Sequence, residues 1–198
     1  MREDSRDFLR ELYEIGDEAG NCLSLLQGSF SSSSPSQLHE CIEKAEALQQ
    51  RVTAITGEIA GATQGRPEIK EYLSVPPHLQ RIIENIGRLA ELADKKAKGT
   101  ILFSDRAVTE LNALIQKIRE ILRSTFDIIL VRNSVLGRYV RESEAEIARM
   151  ADDCATQHEE RLIEGLCLPV ASSLYLAMLD EVKGIAWHAK EIALRLTE

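Results

Sequence analysis

Aromatic residues make up only 5% of this 198-residue chain, and there are five prolines. Sheets draw on aromatic and β-branched side chains, and helix interiors exclude proline, so both shortages favour long helices. Cysteine is sparse as well: Cys22, Cys41, Cys154 and Cys167 lie far apart, with no Cys-x-x-Cys spacing. The start, MREDSRDF, is charged from its second residue and carries no secretory apolar segment. These features imply reduced thiols in a cytosolic chain. Long apolar runs are missing too. The longest, Leu166 to Leu179, contains Pro169 and two serines and falls short of the roughly 20 residues a membrane span requires. Basic charge is the last shortage, 24 Lys and Arg against 32 Asp and Glu, for a net charge of −8. That balance excludes a reader of the nucleic-acid backbone, which needs a basic face, and it would repel an anionic membrane surface.

What is present is helical periodicity. The apolar share of 44% is enough for a core, and the length suits one ordinary domain or two small ones. Phe8, Leu12, Ile15, Ala19, Cys22 and Leu26 recur at spacings of three and four, predicting a first helix from about Ser5 to Gln27. Gly28 and the serine run from Ser29 to Ser36 are expected to end it in a flexible connector. Ser36 is placed to cap a second helix carrying Cys41, Ala45, Leu48, Val52, Ile55 and Ile59, which Gly61, Gly65 and Pro67 close. Pro76 and Pro77 open a third through Ala93, with Lys95, Lys96 and Lys98 complementing its dipole before Gly99. Ser104 caps a fourth helix, whose stripe is Ala107, Leu111, Leu114, Ile118 and Ile121. A fifth runs from Ser134 to Glu164 and stops at Gly165, and Pro169 opens a sixth that continues to the C-terminus.

Adding 99 to Phe8, Leu12, Ile15, Ala19 and Cys22 lands on the stripe of the fourth helix. The same offset carries Cys41, Leu48 and Ile55 onto Val140, Ile147 and Cys154, and Ile86, Gly87 and Ala90 onto Ile185, Ala186 and Ala189. Each half holds 12 basic and 16 acidic residues. The expectation is an all-α protein of six helices in two pseudo-symmetric three-helix repeats, residues 1–99 and 100–198.

Catalytic signatures fail one at a time. His158-Glu159 begins like a zinc-hydrolase helix, but Leu162 stands where the second ligand belongs. Di-metal bundles need Glu three residues before His, and Ser36, Val75, Ala155 and Ile185 occupy those positions. There is no glycine-rich phosphate loop and no G-x-S-x-G elbow. His188 reads as a hydrogen-bonded residue at the edge of the core. His158, near a helix C-terminus beside Glu159 and Glu160, reads as favouring the imidazolium. Acidity is concentrated: residues 142–164 hold eight carboxylates against Arg149 and Arg161. Glu142, Glu146, Asp153, Glu160 and Glu164, at spacings of 4, 7, 7 and 4, share one helix face. That face is either simply solvated, or it docks a basic partner or binds a divalent cation.

At the fifth and sixth helices the residues become specific. HEERLIEGLCLP (His158 to Pro169), Tyr175-Leu176, and Ile185-Ala186-Trp187-His188-Ala189 with Ile192-Ala193 resemble the PhoU-like domains, most closely the cytosolic tail of bacterial sodium/phosphate cotransporter proteins. Ile83-Glu84-Asn85-Ile86-Gly87-Arg88-Leu89-Ala90 resembles the matching segment of the first repeat. The resemblance implies a non-catalytic regulatory role in phosphate uptake, exerted through contact with a phosphate transporter at the inner face of the membrane. It also implies a metal motif in each repeat, an acidic residue followed four positions later by Asp. Here those positions read Glu84 and Arg88, then Lys183 and Trp187, so no metal or other cofactor is expected. Arg88 is expected to pair with Glu84. The alternative is a metal-binding helical protein that uses its acidic faces. A homodimer joined through Ile128, Ile129 and Val131 is a third arrangement the sequence suggests.

Overall fold

The computed structural model describes residues 3–32, 35–63 and 67–198. Six long helices account for nearly all of them: α1 (Glu3–Ser32), α2 (Pro35–Ala62), α3 (Val75–Lys98), α4 (Asp105–Val131), α5 (Ser134–Ile163) and α6 (Pro169–Thr197). Among the described residues there is no strand, and no helix is long and apolar enough to cross a membrane.

The apolar stripes meet in one continuous core. Phe8, Leu12, Ile15, Ala19 and Cys22 of α1 are buried, and so are Ala107, Leu111, Leu114, Ile118 and Ile121, 99 residues on in α4. α1, α2 and α3 pack on one another, as do α4, α5 and α6; α3 lies against α6 and α1 against α4. Burying an aliphatic side chain of this kind contributes about 1.5–3 kcal/mol. The long shared stripes are therefore what hold the helices in register.

Local chemistry explains most boundaries. The Ser104 hydroxyl accepts the Ala107 N–H at 3.3 Å and starts α4. α4 stops at Arg132, held in the left-handed region at φ 47°, and the Asn133 side chain at once accepts the Val135 N–H at 2.8 Å to begin α5. Gly165, at φ 74°, supplies the turn after α5.

Two boundaries depart from expectation. α1 runs through Gly28 to Ser32, and α2 already begins at Pro35. Ser29 is buried, and its hydroxyl donates to the Leu26 carbonyl at 2.6 Å, so the serines continue the helix instead of breaking it. Proline is accommodated in the first turn, which places Ser36 inside α2 and not at its cap. Ser33, Ser34 and Gly65 lie outside the described residues. Pro67–Ser74 forms a 3₁₀ segment that buries Ile69 and Tyr72. Its Tyr72 ring lies 4.6 Å beneath the Arg132 guanidinium, whose Nε donates to the tyrosine oxygen at 2.8 Å. This short helix ties α3's entry to the α4–α5 turn.

The dimer-forming stripe is also corrected. Ile128 and Ile129 are fully buried against α4's own neighbours, leaving only Val131 exposed at the helix end.

Candidate functional site

The acidic residues of α5 divide by the face they occupy. Glu144 points inward and meets Lys190 of α6 at 3.2 Å, and Asp152 meets Lys183 at 3.2 Å. These two carboxylates fasten α5 to α6. Glu142, Glu146, Asp153 and Glu160 are exposed on α5, and Glu164, also exposed, caps its C-terminus. Glu146 pairs with Lys117 of α4 at 2.8 Å, which holds its carboxyl below the usual range. The other four have no ion-pair partner among the described residues. At 1.5 Å per residue the row extends for about 33 Å. The five carboxylates as a set cannot share one ion, and among the described residues no three His, Cys, Asp or Glu side chains are grouped to hold a metal.

The row ends beside an apolar tip. Ile163, Leu166, Leu168 and Val170 of the α5–α6 turn are exposed, as is Leu102 of the α3–α4 turn. Between these turns opens a cavity of about 260 Å³, lined by Leu102, Phe103, His158, Leu166, Cys167 and Leu168, among others.

Behind the tip lies a buried polar cluster that motif reasoning passed over. Glu110 of α4 accepts two hydrogen bonds from Arg161 of α5, at 3.2 and 3.0 Å, a third from Tyr175 of α6 at 2.5 Å, and a fourth from Arg106 at 2.9 Å. Arg161 and Glu110 side chains are only 13% and 12% exposed. Burial alone would raise the Glu110 carboxyl, but the hydrogen bonds from Tyr175, Arg161 and Arg106 outweigh it and hold it below the usual range. Tyr175 is pushed up by burial and by its bond to Glu110, so the phenol keeps its proton.

His158 stacks on Tyr175 at 4.5 Å between ring centroids and is 2% exposed. The Ser172 hydroxyl donates to the Leu168 carbonyl at 3.3 Å, which leaves its oxygen to accept from His158 Nε2 at 2.8 Å. Burial, and then the charge of Arg161, push its pKa down. The surroundings therefore disfavour the expected imidazolium: Glu159 and Glu160 face solvent while the imidazole faces the core.

The α3–α6 seam carries the positions where the resemblance implies carboxylates. Glu84 pairs with Arg81 at 2.8 Å, not with Arg88, and Arg88 reaches across to Glu181 at 4.0 Å. Lys183 is held by Asp152 and Asp180, each at 3.2 Å. Trp187 is 43% exposed, with Lys190 Nζ over its ring. One carboxylate, two cations and an indole do not fit a carboxylate-held ion. His188 is half-buried at the core edge as expected, but its partner is unexpected: its Nδ1 lies 3.0 Å from Nδ1 of His78 on α3.

Of the cysteines, Cys22 and Cys41 are buried, Cys154 packs against the core, and all four are free thiols. The Cys41 thiol donates to the Cys22 carbonyl at 3.4 Å. Burial pushes the Cys154 thiol up.

No protein-family model matches the chain, and no curated protein matches it. Solved structures do. The chain is similar to PhoU from Pseudomonas aeruginosa, with a TM-score of 0.82 at 13% identity over 96% of this chain and 94% of that one. It is similar to the phosphate transport system regulatory protein PhoU from Streptococcus pneumoniae, with a TM-score of 0.74 at 13% identity over 96% and 92%. It is also similar to a PhoU-like protein from Shewanella oneidensis, with a TM-score of 0.68 at 16% identity over 96% and 97%. Nearly the whole length of each chain takes part, and the six-helix, all-α architecture of this protein is the PhoU-like fold.

Proposed function

We propose that this chain is a non-catalytic regulatory module of phosphate uptake, acting by contact with a phosphate transporter membrane protein. The observation that carries the reading is the end-to-end likeness to structures that include a phosphate transport system regulatory protein. The two halves act as repeats of one three-helix unit, residues 1–99 and 100–198. The resemblance of helices α5 and α6 to sodium/phosphate cotransporter tails favours a transporter of that kind, on the same polypeptide or a separate one.

The α5 row of Glu142, Glu146, Asp153, Glu160 and Glu164 is the partner surface in this reading. Cytoplasmic loops of membrane proteins are enriched in Lys and Arg, which complements an acidic face, whereas anionic lipid repels it. The chain therefore works in the cytoplasm, at the inner face of the membrane through its transporter and without inserting. The exposed leucines at the end of the row add apolar surface that a partner would cover.

The test is binding of the purified chain to the phosphate transporter of its own organism, reconstituted in neutral-lipid nanodiscs. Saturable binding that weakens with salt is expected. Changing the five acidic residues to lysine should weaken it by at least about tenfold through electrostatic mismatch. A chain that fails to bind at low salt, or a quintuple variant that binds as well as the parent, refutes the contact.

A further inference from the structure

α1 and α4 cross antiparallel: Gly16 of α1 lies against Phe126 of α4, and the Gln27 amide, further along α1, donates to the Asn112 carbonyl at 3.4 Å. Gly16 and Gly20, one turn apart, thin α1 at this crossing. A Cβ at Gly16 would run into the Phe126 ring, but one at Gly20 would meet nothing within 4 Å. The same register 99 residues on holds Ile115 and Arg119, so α4 offers side chains where α1 offers backbone. Over Gly20 opens a cavity of about 270 Å³, bordered by Arg119 and Arg123 of α4 and by Tyr13, Asp17 and Asn21 of α1.

The charge there is unusual for this chain. Acidic residues outnumber basic ones, and Arg10, Arg51, Arg81, Arg106, Arg132 and Arg161 each pair with a carboxylate. Arg119 and Arg123 do not. Among the described residues, Arg119 Nη1 donates to the uncharged Gln27 Oε1 at 3.2 Å, and Arg123 has no hydrogen-bond or ion-pair partner. The two stand four residues apart, on one face of α4, and both are exposed. Asp17 is the one carboxylate at the cavity, and it accepts from the Asn21 amide at 3.4 Å. Two guanidinium groups against one carboxylate leave the cavity net positive in a net negative protein.

A guanidinium presents its N–H groups in a planar fork that holds two oxygens of a phosphate at once. A cavity of about 150 Å³ admits a benzene ring, so this one has room for a phosphate group and a small organic substituent. We propose that the groove between α1 and α4 binds a phosphate group, with Arg119 and Arg123 neutralising it and the bare backbone at Gly20 forming the floor. Inorganic phosphate and a small phosphomonoester present the same oxygens to it. Tyr13 and Asn21 carry uncharged donors at its edge, and Asp17 holds the affinity down by repulsion. The site goes beyond the transporter contact, because that contact is placed on α5 and this groove belongs to α1 and α4.

Calorimetric titration of the intact chain in a low-salt buffer free of phosphate and sulfate tests it, with sodium phosphate and glycerol 3-phosphate as probes. Saturable binding of at least one probe at one equivalent is expected, with a dissociation constant of about 1 mM or lower. The tighter of the two identifies the source of the phosphate group. Sulfate should compete, and nitrate, with half its charge, should not. Arg119→Gln and Arg123→Gln should each weaken binding at least roughly tenfold, with helicity by circular dichroism as the fold control. Asp17→Asn should tighten it about threefold. Gly20→Leu, whose side chain has open space to enter, should abolish it by filling the groove. Arg138→Gln, at an exposed arginine on α5, should leave it unchanged. Failure of both probes to bind, binding indifferent to Arg119 and Arg123, or nitrate competing as well as sulfate overturns the site.

Discussion

Glu110 is the residue on which the second half of the chain depends most sharply. Three helices send it hydrogen bonds, from Arg106, Arg161 and Tyr175. Glu110→Gln removes the charge that neutralises Arg161 and leaves a guanidinium nearly buried and uncompensated. A loss of about 3–5 kcal/mol is expected in urea unfolding. Arg106→Ala, which removes the exposed member of the cluster, should cost under about 1 kcal/mol in the same assay. Histidines set the pH response. His78, His158 and His188 all titrate below their unfolded value, so the unfolded chain binds more protons across that window. Stability should be full above about pH 6.5 and fall as the pH drops toward the His188 value of about 4. His188→Gln should flatten that slope in melts between pH 7.5 and 5 by an amount on the order of 1–2 kcal/mol, discounted for partial exposure. Little of this was legible in the sequence. Glu110 stands alone between apolar stripe positions, and its partners come from 51 and 65 residues away. The neighbours of His158 suggested a charged ring because chain proximity shows carboxylates at the next two positions without showing that they face the other way.

At the scale of the helix, two glycines of α1 look alike in sequence and differ in structure. A methyl group at Gly16 would enter the buried Phe126 ring of α4, whereas one at Gly20 would meet nothing within 4 Å. Gly16→Ala should therefore destabilise by about 1–3 kcal/mol through overpacking. Gly20→Ala should stabilise by roughly 0.5–1 kcal/mol through helix propensity alone. Opposite shifts in thermal midpoint are the check, and shifts of the same sign would mean that α1 and α4 do not approach as described. Helix existence was readable throughout, because the stripes of α1 to α6 repeat every three or four residues over many turns. The start of α4, the end of α5 and the start of α6 were readable too, since Ser104, Gly165 and Pro169 act locally. What escaped was the continuation of α1 through Gly28 and Ser29, where burial of Ser29 overrides the local preference for a turn. The 3₁₀ segment after Pro67 escaped as well, its reason being the distant Arg132.

For the molecule as a whole, charge and shape are distributed differently. The core runs unbroken through both halves, while the densest acidity lies along α5 in the second half. Sequence arithmetic located that acidity because a helix face is a matter of spacing. The separation of tethering carboxylates, Glu144 and Asp152, from outward ones required knowing where α6 lies. Each half also ties its first helix to its second with an arginine on a carboxylate at the same register, Glu11 and, 99 residues on, Glu110. The two ties differ in setting. Arg51 meets Glu11 at 2.9 Å and Glu18 at 2.6 Å with about a third of its side chain in water. Arg161 meets Glu110 almost out of reach of solvent. Mobile ions screen exposed pairs more than buried ones. A rise in ionic strength should therefore weaken the Arg51 tie between α1 and α2 more than the Arg161 tie between α4 and α5, so that salt acts unequally on two contacts that share one register.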